Sequence, residues 1–332
     1  MTEESLLKVV NVTKTFRYGV VFGFQFNALE NIYLELGSNP SIYTIAGESG
    51  SGKSTLAKII LGVLEPDSGE VLYKGRNVHK LSKDEKKWFR REVQPIFQDP
   101  YSTFNPLRDV YSYLVDTALN LKIAGDRKEA EDIVAKSLES VGLHPEEVKG
   151  KRPSEFSGGQ LQRVSIARAI IPRPRLIIAD EPVSMLDASL RTNILEIFKK
   201  LKEEEGISFI YITHDLSTAY YVSNEIMILL RGQTMERGPA EKVLIDPLHP
   251  YVKTLVESIP EPNLEKKPSW LSKIKLGGIE EKEFIVKGCR FRNRCPHASE
   301  KCERTPPEFY IKDKGVWVRC WLYEKEASQV RQ

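Results

Sequence analysis

Two kinds of strand pattern can be read from the hydrophobic positions of the chain. Residues 6–12 and 32–36 read as strands, the second with apolar and polar side chains in strict alternation. Residues 176–179 and 207–212 are continuous apolar runs, which predict strands buried on both faces in a parallel sheet covered by helices. A further strand is predicted at 41–46, directly before a glycine-rich turn.

Between these strands the pattern changes to helices. Residues from about 110 to 171 have helical periodicity, most clearly at 126–141 and 160–171. Another helix is predicted at 53–61, after the glycine-rich turn, and a hairpin at the edge of a sheet is predicted at 225–238. The predicted order is therefore α/β, a helical insert, and α/β again.

A stretch rich in proline and charge at 260–268 reads as a linker. We therefore predict one domain at 1–260, with a helical subdomain at about 100–172, and a C-terminal extension at 261–332. The extension is too small to bury a large core of its own.

Composition narrows the class of protein. The chain has 332 residues, of which 41% are hydrophobic and 29% charged, as in a soluble globular protein. A net charge of +3 gives no reason to expect nucleic acid as a partner. No apolar run approaches the roughly 18 residues of a membrane-spanning helix, and the acidic start at 1–5 lacks the apolar core of a signal peptide. We therefore expect a cytosolic protein.

Residues 47–55 match the phosphate-loop pattern G-x-x-x-x-G-K-[ST]. Glycines let backbone N–H groups turn toward phosphate oxygens, and the helix that follows adds positive potential. We expect Lys53 to reach the β- and γ-phosphates of ATP and the Ser54 hydroxyl to bind Mg²⁺. A plain flexible turn is the alternative, but a chance match is on the order of one per cent. The predicted nucleotide-binding residues of the loop are Gly47, Ser49, Gly50, Ser51, Gly52, Lys53, Ser54 and Thr55.

Two adjacent carboxylates follow the apolar run at 176–179. Asp180 stands at the end of the predicted strand, where it can hold Mg²⁺. Glu181 follows directly and can polarise the attacking water. A solvated acidic turn would explain the pair equally well in isolation. Together with the phosphate loop, the pair indicates an ATP hydrolase rather than a P-loop kinase.

Residues 156–160, Phe-Ser-Gly-Gly-Gln, precede a predicted helix, and a simple N-cap would explain them. Lying between the two phosphate motifs in the right order, they resemble the signature of ATP-binding-cassette (ABC) ATPases, with Phe156 where Leu is usual. This resemblance implies the P-loop ABC ATPase fold, an α/β fold with a mixed sheet core, an antiparallel β subdomain and a helical insert. It also implies nucleotide contacts for Ser157, Gly158, Gly159 and Gln160.

Three further segments fit the same family. Gln98 resembles the glutamine that senses Mg²⁺ and the γ-phosphate, and so joins Ser54 and Asp180 as an expected Mg²⁺ contact. Asp187 ends a segment resembling the loop that communicates across a dimer, and His214 resembles the switch histidine that contacts the γ-phosphate. A lone Gln or His is more often structural, but Gln98 and His214 follow predicted strands at the family spacing.

The resemblance also implies how the site works. Two such domains pair head to tail, so that each ATP lies between the phosphate loop of one and the signature of the other. The expected catalytic residues on the local ATP are Glu181, His214, Gln98 and Lys53. An aromatic side chain near the start stacks on adenine in this family. Phe16 is the candidate, and Tyr18, before the aromatic loop at 19–26, is the alternative.

Three segments near the C-terminus, at 246–251, 259–262 and 288–296, resemble the extension of oligopeptide and dipeptide importer ATPases, and residues 98–106 fit the same group. The resemblance implies an ATPase subunit for import of peptides, or of oligosaccharide or nickel. Its expected partners are a second ABC ATPase subunit, identical or different, two transmembrane permease subunits and, indirectly, an extracytoplasmic solute-binding protein. No nucleic acid partner is expected, and the subunit would lie peripherally on the cytoplasmic face of the membrane.

Two other classes of ABC protein are less compatible with the chain. Soluble members of translation or DNA repair carry two cassettes or long coiled coils, whereas one cassette and no sustained heptad pattern are found here. The nucleotide half of an exporter is usually fused to a membrane domain, and this sequence predicts none.

All four cysteines lie in the last fifth of the chain, with the spacing C-x5-C-x6-C-x17-C. We predict that they bind one [4Fe–4S] cluster that staples the extension. Zn²⁺ is second, because structural zinc prefers a tight C-x2–4-C pair. Free thiols or two disulfides remain as alternatives. The predicted ligands are Cys289, Cys295, Cys302 and Cys320.

Overall fold

A computed structural model of the chain describes residues 5–18, 24–258 and 286–326. The strands in these ranges are β1 (Leu7–Tyr18), β2 (Phe24–Leu36), β3 (Ile42–Ala46), β4 (Ser68–Tyr73), β5 (Arg76–Asn77), β6 (Val93–Ile96), β7 (Leu176–Asp180), β8 (Ser208–Thr213), β9 (Glu225–Leu230), β10 (Gln233–Pro239), β11 (Phe309–Ile311) and β12 (Val316–Val318). The α-helices in the same ranges are α1 (Lys53–Ile60), α2 (Lys83–Glu92), α3 (Val110–Asn120), α4 (Arg127–Ser140), α5 (Pro145–Val148), α6 (Gly158–Ile170), α7 (Ala188–Glu204), α8 (Leu216–Val222), α9 (Ala240–Ile245) and α10 (Pro250–Glu257). None of these helices is long and apolar enough to span a bilayer.

The strands form two sheets. The first is antiparallel, in the order β2-β1-β4-β5. The second has the order β11-β12-β10-β9-β3-β8-β7-β6. Within it β9, β3, β8, β7 and β6 are parallel neighbours, and β10, β12 and β11 are antiparallel. The predicted mixed core sheet and antiparallel subdomain are both present.

The second sheet is buried on both faces, as its continuous apolar runs predicted. Ile177 and Phe209 pack into a core shared with α4, α6 and α7. Their neighbours Ile178 and Ile210 point the other way, into a core shared with β1, β2 and α1. Successive residues of a strand face opposite sides, so an uninterrupted apolar run satisfies both layers. The parallel strands are thus held rigidly, with their carboxyl ends at one edge.

Caps at the helix starts explain the observed boundaries of the helical insert. Asp126 caps α4 by accepting from Glu129 N at 2.9 Å. The helix predicted at 160–171 begins earlier, at Gly158, because Ser157 caps it in a reciprocal capping box with Gln160. The existence and type of both helices were predicted, and their observed bounds differ from the predicted ones by one or two residues at each end.

The hairpin predicted at 225–238 exists as β9 and β10, but its predicted place at the sheet edge is wrong. Strand β12 pairs with β10, with Val318 opposite Glu236 and Trp317 opposite Arg237. An uncovered β10 would present unpaired backbone groups, and the short apolar strand β12 covers them. Residues 286–326, called the C-terminal segment below, therefore share a core with β9, α9 and α10. The predicted linker at 260–268 lies outside the described residues.

Candidate active site

The phosphate loop (residues 47–55) joins β3 to α1 and is wedged between β9 and β2. Gly47 has φ 146°, and a Cβ there would lie 2.1 Å from the Leu229 carbonyl oxygen. Gly52 has φ 107°, and a Cβ there would lie 2.4 Å from the Ala28 carbonyl oxygen. Only glycine combines these backbone angles with such close approach. The two glycines thus allow the tight turn that a phosphate-binding loop needs.

Lys53 lies inside this loop with 5% of its surface exposed. Its Nζ donates to the carbonyl oxygens of Gly47 at 2.8 Å and Glu48 at 2.9 Å. Burial lowers the pKa of Lys53, and the nearby carboxylates of Glu181 and Asp180 oppose that effect. Lys53 therefore places a positive charge beside the N-terminal end of α1, where anions bind well.

At the end of β7, the Ser54 hydroxyl donates to Oδ1 of Asp180 at 3.3 Å. Burial raises the pKa of Asp180, and the bond from Ser54 lowers it in part. Mg²⁺ takes oxygen ligands, and in nucleotide sites it uses one or two side chains with phosphates and water completing the shell. The two side-chain oxygens fit such an ion, which would favour the ionised form of Asp180.

Glu181 joins three strand ends at the same edge of the sheet. Its Oε2 accepts a hydrogen bond from Nε2 of Gln98, after β6, at 3.3 Å. Its Oε1 lies 3.1 Å from Nδ1 of His214, after β8. Glu181 itself has φ 46° and donates its backbone N–H to the carbonyl oxygen of Ile212 at 2.9 Å. A non-glycine residue in this left-handed region is strained, and such strain is often found at functional sites.

The signature residues form the N-terminus of α6. Ser157 Oγ accepts from Gln160 N at 3.3 Å, and Gln160 Oε1 accepts from Ser157 N at 3.1 Å. A Cβ on Gly159 would lie 3.0 Å from Leu190 of α7, so this glycine allows close helix packing. Among the described residues, no hydrogen bond links Ser157 or Gln160 to the phosphate loop.

Asp187 is exposed at the N-cap of α7 and is the last residue of the loop at 184–187. Ser184 Oγ donates to the Glu181 carbonyl oxygen at 3.0 Å. Arg191 connects this loop to Asp215, the neighbour of His214: Nε donates to Leu186 O at 2.8 Å, and Nη1 lies 3.5 Å from Oδ2 of Asp215. Sequence reasoning missed Arg191, because no motif marks a residue one helical turn beyond the loop.

Phe16 is 37% exposed near the far end of β1, opposite Phe26 of β2. Its ring centre lies 6.2 Å from that of Phe26, and Nζ of Lys14 lies 5.9 Å from it. An exposed ring flanked by a cation suits stacking on a planar base. The side chain of Tyr18 and residues 19–23 lie outside the described residues.

The four cysteines surround one cavity of about 90 Å³, which His249 also lines. None of them is disulfide-bonded. Burial raises the pKa of Cys320 to about 11, and it also raises the pKa of Cys289 and Cys295. In the three described ranges, no group of three or more His, Cys, Asp or Glu side chains is arranged to hold a metal ion. A metal centre here therefore stays a prediction.

Known proteins match both parts of the chain. Residues 29–184 match the family described as ABC transporter, and residues 235–302 match the one described as oligopeptide/dipeptide transporter, C-terminal region. The oligopeptide transport ATP-binding protein OppF of Haemophilus influenzae is 37% identical over 83% of each chain. The di/tripeptide transport ATP-binding protein DppF of Pseudomonas aeruginosa is 35% identical over 87% of this chain and 88% of its own.

Among solved structures, the dimeric post-hydrolysis state of the ATP-binding cassette MJ0796, bound to ADP and Pi, is 30% identical with a TM-score of 0.62. It covers 70% of this chain and 98% of its own. The chain therefore belongs to the ABC transporter family, and within it to the ATP-binding proteins that carry the oligopeptide/dipeptide transporter C-terminal region. It is an ATPase, and the predicted ABC ATPase fold is confirmed.

Proposed function

We propose that this chain hydrolyses ATP to drive import of di- or oligopeptides through a membrane permease. The observation that carries the proposal is the meeting of Gln98, Glu181 and His214 at one sheet edge, beside the phosphate loop. The relatives named for peptide transport, and the match of residues 235–302, support the choice of solute. A soluble role in translation or DNA repair gains no support from them.

Within one chain, the loop amides and Lys53 bind the phosphates. Ser54, Asp180 and Gln98 would hold Mg²⁺, which would neutralise negative charge on the phosphates. Glu181 accepts a hydrogen bond from the attacking water and takes its proton as the water oxygen bonds to the γ-phosphorus. The bond from that phosphorus to the bridging oxygen breaks, leaving ADP and phosphate.

We propose that the complete site needs a second ABC ATPase subunit, identical or different. Among the described residues, Ser157 and Gln160 of the signature have no hydrogen bond to the loop of their own chain, and the similar cassette MJ0796 is dimeric. Ser157 and Gly159 of one chain would then reach the γ-phosphate bound to the other, where N-terminal amides of α6 favour an anion. Exposed Asp187 would lie at the same interface.

Two transmembrane permease subunits are the proposed membrane partners, which places the chain peripherally on the cytoplasmic face. Support comes from apolar side chains exposed around the start of the helical insert: Phe97 at 44%, Tyr101 at 45% and Leu107 at 80%. Phe104 is instead buried against Tyr113, with ring centres 5.4 Å apart, so it stabilises this surface from beneath. An extracytoplasmic solute-binding protein would act through the permease.

Peptide import is tested by purifying the chain together with its membrane partners and reconstituting them in vesicles. We expect ATP-dependent uptake of labelled di- and oligopeptides when solute-binding protein is added, and none with Glu181→Gln in this chain. Uptake of oligosaccharide or nickel instead would move the proposal to another solute. Co-purification with ribosomes or DNA ends, without membrane proteins, would contradict it.

We further propose that Cys289, Cys295, Cys302 and Cys320 bind a [4Fe–4S] cluster, with Zn²⁺ as the alternative. Support comes from their convergence on one cavity, since four thiolates are the ligand set of such clusters. The cluster would staple the C-terminal segment. Anaerobic purification followed by iron, sulfide and zinc analysis should give about four iron and four sulfide per chain. Stoichiometric zinc, or intact folding with no metal, would contradict the cluster.

A further inference from the structure

The C-terminal segment contacts the phosphate loop directly. Nη1 and Nη2 of Arg294 donate to Oε1 and Oε2 of Glu48 at 3.1 and 3.2 Å, a two-pronged ion pair. Glu48 is the second residue of the phosphate loop, and Arg294 immediately precedes Cys295. Bidentate pairs of this kind restrict geometry more than a single charge contact does.

The backbone of Glu48 is held from the same side. Its N–H donates to the hydroxyl of Tyr251 at 3.2 Å. Tyr251 is 1% exposed, and its ring lies 5.4 Å from that of buried Phe291. The guanidinium of Arg294 lies 5.2 Å from the centre of the Phe291 ring. One packed unit therefore holds Glu48 through both its side chain and its backbone. This unit consists of Arg294, Phe291 and Tyr251.

Glu48 in turn sets the position of the catalytic lysine. Its carbonyl oxygen accepts from Nζ of Lys53 at 2.9 Å. A displacement of Glu48 would therefore displace Lys53, the residue expected to meet the β- and γ-phosphates. The chain of contacts runs from the turn at residues 289–295, through Arg294 and Glu48, to Lys53.

A second, independent route joins the same two regions. Nη2 of Arg290, which follows Cys289, donates to Oε2 of Glu30 at 2.6 Å. Glu30 N donates to the Gly232 carbonyl oxygen at 2.8 Å, and Gly232 N donates to the carbonyl oxygen of Ser51 in the phosphate loop at 2.9 Å. Two arginines adjacent to two cysteines thus connect to two residues of the loop.

We propose that Arg294 is a positioning residue for ATP binding, which holds the phosphate loop through Glu48 and lets the conformation of the C-terminal segment set nucleotide affinity. It acts through its ion pair with Glu48. The proposal rests on the assignment of the phosphate loop as the ATP site and does not depend on what the four cysteines bind.

The test compares Arg294→Met with Arg292→Met in the full chain, using calorimetric titration with Mg-ATP and steady-state ATP hydrolysis. Arg292 lies in the same turn and has no ion pair within the described residues. Arg294→Met should weaken ATP binding about fivefold and raise KM by the same factor, with kcat within about twofold, the scale of a partly exposed ion pair. Arg292→Met should bind ATP as the wild type does.

Glu48→Gln provides a second arm that leaves the C-terminal segment untouched. It should cause the same loss as Arg294→Met, and the double variant should lose no more than either single variant. Equal affinities for Arg294→Met and Arg292→Met, unchanged binding in Glu48→Gln, or losses that multiply in the double variant would each overturn the proposal. Lys53→Ala is the reference: wild-type ATP binding in that variant would instead refute the phosphate site itself.

Discussion

Nδ1 of His214 lies 3.1 Å from Oε1 of Glu181, while Gln98 donates to the other carboxylate oxygen at 3.3 Å. The carboxylate is therefore oriented from two sides by residues that follow β6 and β8, the two strands that flank β7. Because parallel strands end at a common edge, three side chains far apart in the sequence form one group. A carboxylate held in this way would lose little freedom when ATP and water arrive, as the proposed role of Glu181 as a base requires.

The signature residue Ser157 should serve the ATP of the partner chain. We expect Ser157→Arg to lower ATP hydrolysis by about a hundredfold or more, since it removes the hydroxyl donor proposed for the γ-phosphate and adds bulk at the closed interface. ATP affinity of the isolated monomer should remain within about twofold of wild type. Comparable loss of monomer binding, measured by calorimetry, would place Ser157 in the same site as Lys53 and contradict the head-to-tail arrangement.

Gly52→Ala should damage the phosphate loop. The added Cβ would meet the Ala28 carbonyl oxygen at 2.4 Å, at φ 107°. We expect a loss of about 2–4 kcal/mol in the free energy of unfolding and at least tenfold weaker ATP binding. Gly37→Ala is the matched control, because a Cβ added there would meet nothing within 4 Å among the described residues beyond its own chain neighbours. Similar stability of both variants in urea unfolding would show that the loop can relax.

Glu236 should make stability depend on pH. Burial raises its pKa from 4.5 to about 7, against hydrogen bonds from the backbone N–H groups of His249 and Leu248. The folded state thus holds the proton more tightly than the unfolded state. Its contribution is complete below about pH 4.5 and is lost as pH rises through about 7.

Urea unfolding of wild type and Glu236→Gln at pH 5 and pH 8 checks this direction. From pH 5 to pH 8 the wild type should lose roughly 2–3 kcal/mol of unfolding free energy relative to the variant. Parallel pH profiles for the two proteins, or a relative gain by the wild type, would show that the pKa of Glu236 is not raised by folding.

Local patterns were enough to predict most elements of this fold. The apolar runs identified β7 and β8 because both sheet faces are covered, and the helical periodicity at 126–141 identified α4. The glycine pattern of the phosphate loop and the paired carboxylates were visible because their chemistry needs contiguous residues. These features depend on neighbours in the chain.

Long-range pairings could not be predicted in this way. Strand β12 pairs with β10 although the predicted linker lies between them in the sequence. The sequence predicted β10 at the sheet edge because its partner strand has only three residues. Arg294 and Glu48 are 246 positions apart in the sequence, and nothing in the residues around an exposed arginine indicates which carboxylate it will pair with. Arg191 likewise has meaning only after α7 and the loop at 184–187 are packed.

The most direct test of the central claim, that Glu181 polarises the water in a site completed by a second chain, is Glu181→Gln. The amide fills the same space but cannot take the proton. ATP binding should be retained, turnover should fall by at least a thousandfold, and ATP should trap a dimer in size-exclusion chromatography. Steady hydrolysis near the wild-type rate, without an ATP-dependent dimer, would contradict the account.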